Sequence, residues 1–292
     1  MRIVRKHHRV LVQGITGKQG TFWTERMQEY GTMIMGGVNP KKAGTEHCNV
    51  PVYASAVEAM QDGDGFDASI LFIPPLGVKD AAMDAIEAGA KGICILTEHI
   101  PVQDVMYFMA AAKERGTMIT GPNTAGSVTV GECFLGFMPA FNERIFKKGS
   151  VGVMSRSGSL GTLMCQNIVS AGFGQSAFVG IGGDPVIGTT TKDALEALDN
   201  FEGTDAVVMV GEIGGAMEEE AAKYAATMDK PVFAFIAGGA APAGKKMGHA
   251  GAIVMGDKGT YKSKRDALEG AGVTVLDTPS HVGDGLKAAL GN

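Results

Sequence analysis

The sequence predicts an α/β protein built as two doubly wound domains in tandem. Three observations carry that prediction: a length of 292 residues, 43 glycines, and an alternation of short apolar runs with helical patterns. The length is about twice that of a single domain. The glycine content is about double ordinary usage and has no collagen-like period, as many tight strand-to-helix turns require. Strand–helix–strand alternation means parallel sheets covered on both faces.

Taken in order, the apolar runs at residues 10–13, 33–35, 69–73, 92–96 and 118–119 read as buried strands. Helical patterns separate them at 21–30, 55–60, 78–88 and 103–115. Between 121 and 149 the alternation breaks. Pro122, Pro139 and turn residues interrupt that stretch, and no helix is expected there. Strands resume at 151–154, 177–179, 206–210, 232–236 and 273–276, with helices at 160–171, 192–200, 217–228, 262–270 and 282–290. The predicted division is therefore residues 1–121, a connecting segment 122–149, and residues 150–292.

Composition narrows the function. Hydrophobic residues at 45% and charged residues at 20% describe a globular chain. Aromatics at 7% with one Trp, and a net charge of −5, argue against a nucleic-acid partner. No apolar run reaches the ~18 residues of a membrane span. Cys48, Cys94, Cys133 and Cys165 form no C-x-x-C, so neither a zinc site nor a disulfide framework is expected. Isolated in apolar surroundings, they read as small buried hydrophobes. His, Cys and carboxylates nowhere cluster at metal-ligand spacing. The basic start of the chain lacks the apolar stretch of a signal peptide, and a cytoplasmic location is expected.

Gly14-Ile15-Thr16-Gly17-Lys18-Gln19-Gly20 follows the first strand and opens the first helix. Glycines there allow a tight turn and let backbone N–H groups approach a phosphate at the positive end of the helix. The spacing is neither the dinucleotide G-x-G-x-x-G nor a Walker A. After the second strand, where NAD enzymes carry an acid for the ribose, the chain has Lys41 and Lys42. Lys42 would attract a ribose phosphate, as in CoA or NADP.

The second candidate centres on His249, in the run Lys245-Lys246-Met247-Gly248-His249-Ala250-Gly251-Ala252. Small neighbours leave its ring accessible, as a nucleophile holding a covalent phosphate needs. The other five histidines read as structural or surface residues. Glu212, at the carboxyl end of a predicted strand, is placed to orient the ring. Ser155-Arg156-Ser157-Gly158-Ser159 lies between strand and helix, where N–H groups could bind the phosphate. The segment lacks the glycine that a nucleophile elbow needs before its serine. Glu218-Glu219-Glu220 reads as a helix first turn.

The run of motifs Gln13-Gly-Ile-Thr-Gly17, Leu96-Thr-Glu98, Gly121-Pro-Asn123, Ser155-Arg-Ser-Gly158, Gly180-Ile-Gly-Gly-Asp-Pro185, Gly211-Glu-Ile-Gly-Gly215 and Gly248-His-Ala-Gly-Ala252 resembles the α subunit of succinyl-CoA synthetase and related NDP-forming acyl-CoA ligases. The resemblance spans nearly the whole chain. It implies a Rossmann-like CoA-binding domain followed by a flavodoxin-like ligase domain. It also implies that Thr16, Gly17, Lys18 and Gln19 cradle CoA with Lys42, Leu96, Thr97 and Glu98. His249 is then the transient phosphohistidine, Glu212 its partner, and Ser157 and Gly158 the phosphate holders. A separate ATP-grasp β subunit would bind ATP or GTP with Mg²⁺, which accounts for the missing Walker A.

Departures from the family pattern bear on the acid substrate. Thr124 and Ala125 replace Cys-Pro, and Gly161, Thr162 and Leu163 replace Thr-Tyr-Glu. Losing a ring and a carboxylate remodels the pocket. A paralogue acting on another small acid is expected, with sulfoacetate or a hydroxy-dicarboxylate such as malate as candidates. The alternatives are a genuine succinate ligase subunit, a non-catalytic CoA-binding protein, and an NADP oxidoreductase suggested by the lysines alone.

Overall fold

Val10, Leu11 and Val12 are wholly buried in β1 (Arg9–Gln13), which enters the sheet with both faces covered. In the computed structural model, residues 3–240, 249–254 and 259–291 are described. Lys245, Lys246 and Gly248 of the sequence motif lie outside them. Two compact units emerge, Met1–Met138 and Pro139–Asn292, so the division falls inside the stretch 122–149 expected to connect the domains.

In the first unit β1 is followed by α1 (Lys18–Tyr30), β2 (Met33–Val38), β3 (Glu46–His47), β4 (Val50–Tyr53) and α2 (Ala56–Gln61). Then come β5 (Ala68–Leu71), α3 (Val78–Glu87), β6 (Gly92–Ile95), α4 (Val102–Arg115), β7 (Met118–Thr120), β8 (Gly126–Thr129) and β9 (Cys133–Gly136). The sheet runs β3-β4-β2-β1-β5-β6-β7. All its pairs are parallel except β3–β4. Setting aside short β3, this is the 3-2-1-4-5-6 order of dinucleotide-binding sheets, with its reversal at β1.

Two features depart from the expected pattern. The strands β3 and β4 and the antiparallel hairpin β8–β9 occupy stretches to which the sequence assigns no element, because Pro51 and dense turn residues mask runs of two to four residues. The helix α1 begins at Lys18 rather than at residue 21, because Gly20 is a packing glycine inside the helix and not a loop residue. A Cβ at Gly20 would stand 2.2 Å from the Gly14 carbonyl oxygen. The helix ends where Gly31, at φ 115°, turns left-handed and donates to Met27 and Gln28 carbonyls. The hairpin is clasped by Thr32, whose hydroxyl donates to Phe134 O at 2.7 Å and accepts from Phe134 N at 3.1 Å.

The second unit contains β10 (Lys148–Ser155), α5 (Gly158–Ser170), β11 (Gln175–Gly180), α6 (Thr191–Asp199) and β12 (Ala206–Glu212). It continues with α7 (Met217–Ala225), β13 (Val232–Ala237), α8 (Tyr261–Gly270), β14 (Thr274–Leu276) and α9 (Val282–Leu290). Its five strands run parallel in the order β14-β13-β12-β10-β11. Counted within the unit this is 2-1-3-4-5, the flavodoxin order, reversing between β10 and β12. Every residue of β12 is buried, as its uninterrupted apolar run demands. A capping box of Thr190 and Asp193 starts α6. Cys94, Cys133 and Cys165 are buried free thiols, whereas Cys48, also free, is only half-buried, contrary to the sequence expectation. Among the described residues no helix is long and apolar enough to cross a membrane.

Candidate active site

Ligands of open parallel sheets sit beyond the carboxyl ends of the strands where the order reverses. In the second unit that reversal sets the end of β10, Ser155, beside the end of β12, Glu212. Ser157 caps α5, its hydroxyl accepting from Leu160 N at 3.3 Å. Ser155 Oγ donates to Ser157 O at 2.6 Å and accepts from Ser157 N at 3.1 Å, which fixes the turn. No acidic side chain lies in the first turn of α5, so its positive end faces a cleft of about 270 Å³. Ser157, Ser159, Leu160, Glu212, Gly238 and His249 are among its walls.

His249 and Glu212 meet directly, Nδ1 lying 2.7 Å from Oε2. A carboxylate only accepts, so in the neutral imidazole Nδ1 carries the proton and Nε2 is left with the free lone pair. The hydrogen bond to Glu212 raises the imidazole above its ordinary range, against desolvation and the charge of Arg156. The loop carrying His249 fits because its surroundings are glycine. A Cβ at Gly183 would stand 2.6 Å from the imidazole ring, and one at Gly214 2.4 Å from Gly251 O. Gly251 N donates to Gly183 O at 3.1 Å and ties the loop to the segment after β11.

In the first unit the reversal lies at β1. A cleft of about 760 Å³ opens there, lined by Gln19, Trp23, the segment 72–75 after β5, Leu96, Thr97, Glu98, Asn123 and Phe137. Gly14, at φ 80°, makes the turn out of β1, and a Cβ there would meet Phe72 O at 2.4 Å. Gly17 precedes α1, which has no acid in its first turn and Lys18 exposed at its start. Asn39 Nδ2 donates to Thr16 Oγ1 at 2.5 Å, joining the loop after β1 to the loop after β2. Thr97 Oγ1 donates to Ile73 O at 2.6 Å. An exposed Lys42 ends the short turn after β2 and does not line this cleft.

Of the sequence-derived candidates, His249, Glu212 and Ser157 come together on one cleft, with Gly158 adjoining it at the start of α5. Gln19, Leu96, Thr97 and Glu98 share the other, beside Thr16, Gly17 and Lys18. The acid candidates are not brought together within one unit. Buried Thr124 and Ala125 belong to the first, and Thr162, in the second, donates to Gly158 O at 2.8 Å. Sequence reasoning missed Trp23, Phe137 and the segment 72–75. The Pro-Pro pair at 74–75 after a strand was the available signal for the last.

Comparison with known proteins follows the same division. Residues 5–99 match the CoA binding domain and residues 154–274 the CoA-ligase domain. The chain is 50% identical over 291 residues to the ADP-forming succinate–CoA ligase subunit alpha of Methanothermobacter thermautotrophicus, covering 100% of this chain and 98% of that protein. The chain belongs to the α-subunit family of NDP-forming CoA ligases. This membership makes it an acid–thiol ligase subunit, with CoA and a β partner implied. Within the same family, it is 45% identical over 290 residues to the ADP-forming sulfoacetate–CoA ligase subunit SauD of Bilophila wadsworthia, covering 99% of each chain. Among solved structures, a Methanosaeta concilii ATP citrate lyase mutant in complex with (3S)-citryl-CoA superposes with a TM-score of 0.88. That likeness, at 23% identity over 98% of this chain, shows the fold, and this chain spans about half the length of that one, 50%.

Proposed function

We propose that this chain carries a phosphoryl group on His249 Nε2 during formation of an acyl-CoA from a small acid. The observation that supports this most is the Glu212–His249 hydrogen bond, which leaves Nε2 as the nucleophilic nitrogen. Glu212 holds the ring and offsets the positive charge that grows on it as the P–N bond forms. The N–H groups at the start of α5, with Ser157 and Gly158, bind the phosphoryl oxygens.

In this reading an ATP-grasp β subunit binds ATP or GTP with Mg²⁺ and presents the γ-phosphoryl group to His249. The P–O bond breaks as the P–N bond forms. The phosphoryl group then passes to the carboxylate, giving an acyl phosphate, and the CoA thiolate displaces inorganic phosphate. Splitting the condensation this way replaces one difficult step with easier transfers. The cleft at β1 suits CoA: the α1 N-terminus and Lys18 face its phosphates, Trp23 and Phe137 offer aromatic walls, and Lys42 is available to the ribose phosphate.

The acid is proposed to be other than succinate, with Thr162, Thr124 and Ala125 among the positions that select it. On α5, Leu163 is 42% exposed where succinate enzymes carry a carboxylate. Removing that negative charge favours a more anionic head group, such as the sulfonate of sulfoacetate. The 50% identity to a succinate–CoA ligase subunit supports succinate as the second reading. Steady-state rates with succinate, malate, citrate and sulfoacetate decide between them. Sulfoacetate turning over fastest is the expected result, and a clear preference for succinate overturns it.

A further inference from the structure

We infer that Arg156 is a positioning residue that limits protonation of the His249 imidazole, and so preserves its nucleophilic form, by competing for Glu212. This rests on the phosphohistidine reading above.

Arg156 leaves β10 into a buried site, its side chain 1% exposed, and it does not line the cleft. Its Nη2 lies 3.3 Å from Glu212 Oε1, the oxygen that His249 does not use. Its Nη1 lies 3.8 Å from Glu218 Oε1, which also accepts the Glu212 backbone N–H at 3.2 Å. The second oxygen of Glu218 pairs with buried Lys264, and Lys264 reaches Glu219 Oε2 at 3.2 Å. Two cations, Arg156 and Lys264, and three carboxylates, Glu212, Glu218 and Glu219, thus form one cluster beside the histidine. Glycines make the room, since a Cβ at Gly251 would stand 2.7 Å from Arg156 Nη2 and one at Gly211 2.7 Å from Glu218 Oε1.

Such a cluster is costly to desolvate, so its stability value is small against what it does to a neighbouring titrating group. Arg156 and Glu212 meet at ion-pair distance without hydrogen-bond geometry. Glu212 Oε1 and Arg156 Nε and Nη1 make no hydrogen bond among the described residues. Glu212 is therefore pulled from both sides but fixed only by the imidazole. A carboxylate alone beside the ring favours the imidazolium, which has no lone pair with which to attack phosphorus. The guanidinium opposes this. The charged groups facing the ring are Glu212 from β12, Arg156 after β10 and Asp184 from the loop after β11. Glu218 of α7 acts on it through Arg156.

The test uses the full chain with its β partner, ATP and Mg²⁺, reading the initial rate of His249 phosphorylation against pH. The imidazole is titrated in parallel by NMR of the labelled full chain. R156M is expected to move the acid limb upward by about one pH unit, and R156K to restore it. E218Q leaves Arg156 less neutralised, with Glu219 still paired to Lys264, and is expected to move the limb downward. Shifts of opposite sign from two removals in one cluster are not what loss of packing produces. If R156M does not fold by circular dichroism, the E218Q shift decides. A limb that stays in place while only the maximal rate falls overturns the assignment. Absence of phosphohistidine on the unsubstituted chain overturns instead the reading on which it rests.

Discussion

His249 and Glu212 make one hydrogen bond, and the phosphoryl chemistry proposed for the second unit rests on it. Because the imidazole is raised above its ordinary value of 6.5, the pair stabilises the fold fully below that value. The contribution is lost as pH rises through the raised value. E212Q is therefore expected to cost more stability at about pH 5.5 than at about pH 8.5 by chemical denaturation. The same substitution is expected to slow phosphorylation on the order of 10²-fold, since the ring loses its orientation and charge partner. Equal stability losses at the two pH values contradict the first expectation. In the first unit, Trp23 is the single tryptophan of the chain and lines the cleft proposed for CoA, so its fluorescence reports occupancy directly. CoA is expected to change that emission and NADP to leave it unaltered. K42M is expected to weaken CoA by up to about tenfold while leaving dephospho-CoA unaffected. Equal weakening of both ligands removes Lys42 from the ribose-phosphate role.

At the scale of elements, glycines decide which strand-to-helix turns can close. G20A forces a Cβ against the Gly14 carbonyl and is expected to cost about 1–3 kcal/mol in denaturant titrations, with loss of CoA binding. G183A is expected to push the imidazole aside and to lower phosphorylation far more than it lowers stability. The reverse ranking would mean that Gly183 serves packing alone. Much at this scale is legible in the sequence: buried parallel strands appear as uninterrupted apolar runs, as β12 and β1 do. The short strands β3, β4, β8 and β9 were not, because two to four residues broken by Pro51 or Gly126 show no period. Glu218 shows the same limit at the site. In sequence it is one acid of three opening a helix. Only the fold shows it buried against Lys264 and under Arg156. Charge pairing across 46 positions leaves no local trace.

For the whole molecule, two sheets of different strand order place their candidate sites by the same rule, at the carboxyl ends where the order reverses. The proposed division of labour follows from the two turns: one opens toward a large cleft, proposed for the coenzyme, the other toward a small one that holds His249. His249, Glu212 and the serine turn were legible because small residues around a histidine, and polar groups at strand ends, have few structural uses. The positions proposed to select the acid stand out only as departures from a family pattern, since Thr124 and Ala125 belong to one unit and Thr162 to the other. The sequence carries no Walker A, and in the proposed reading the β partner binds the nucleotide. The chain alone is accordingly expected to take no phosphate from ATP. The most direct measurement is intact-peptide mass spectrometry, at alkaline pH, of the chain incubated with its β partner, ATP and Mg²⁺. One added phosphate is expected on the peptide carrying His249, discharged by a carboxylic acid with CoA. An intact complex that leaves that peptide unmodified with both ATP and GTP would contradict it.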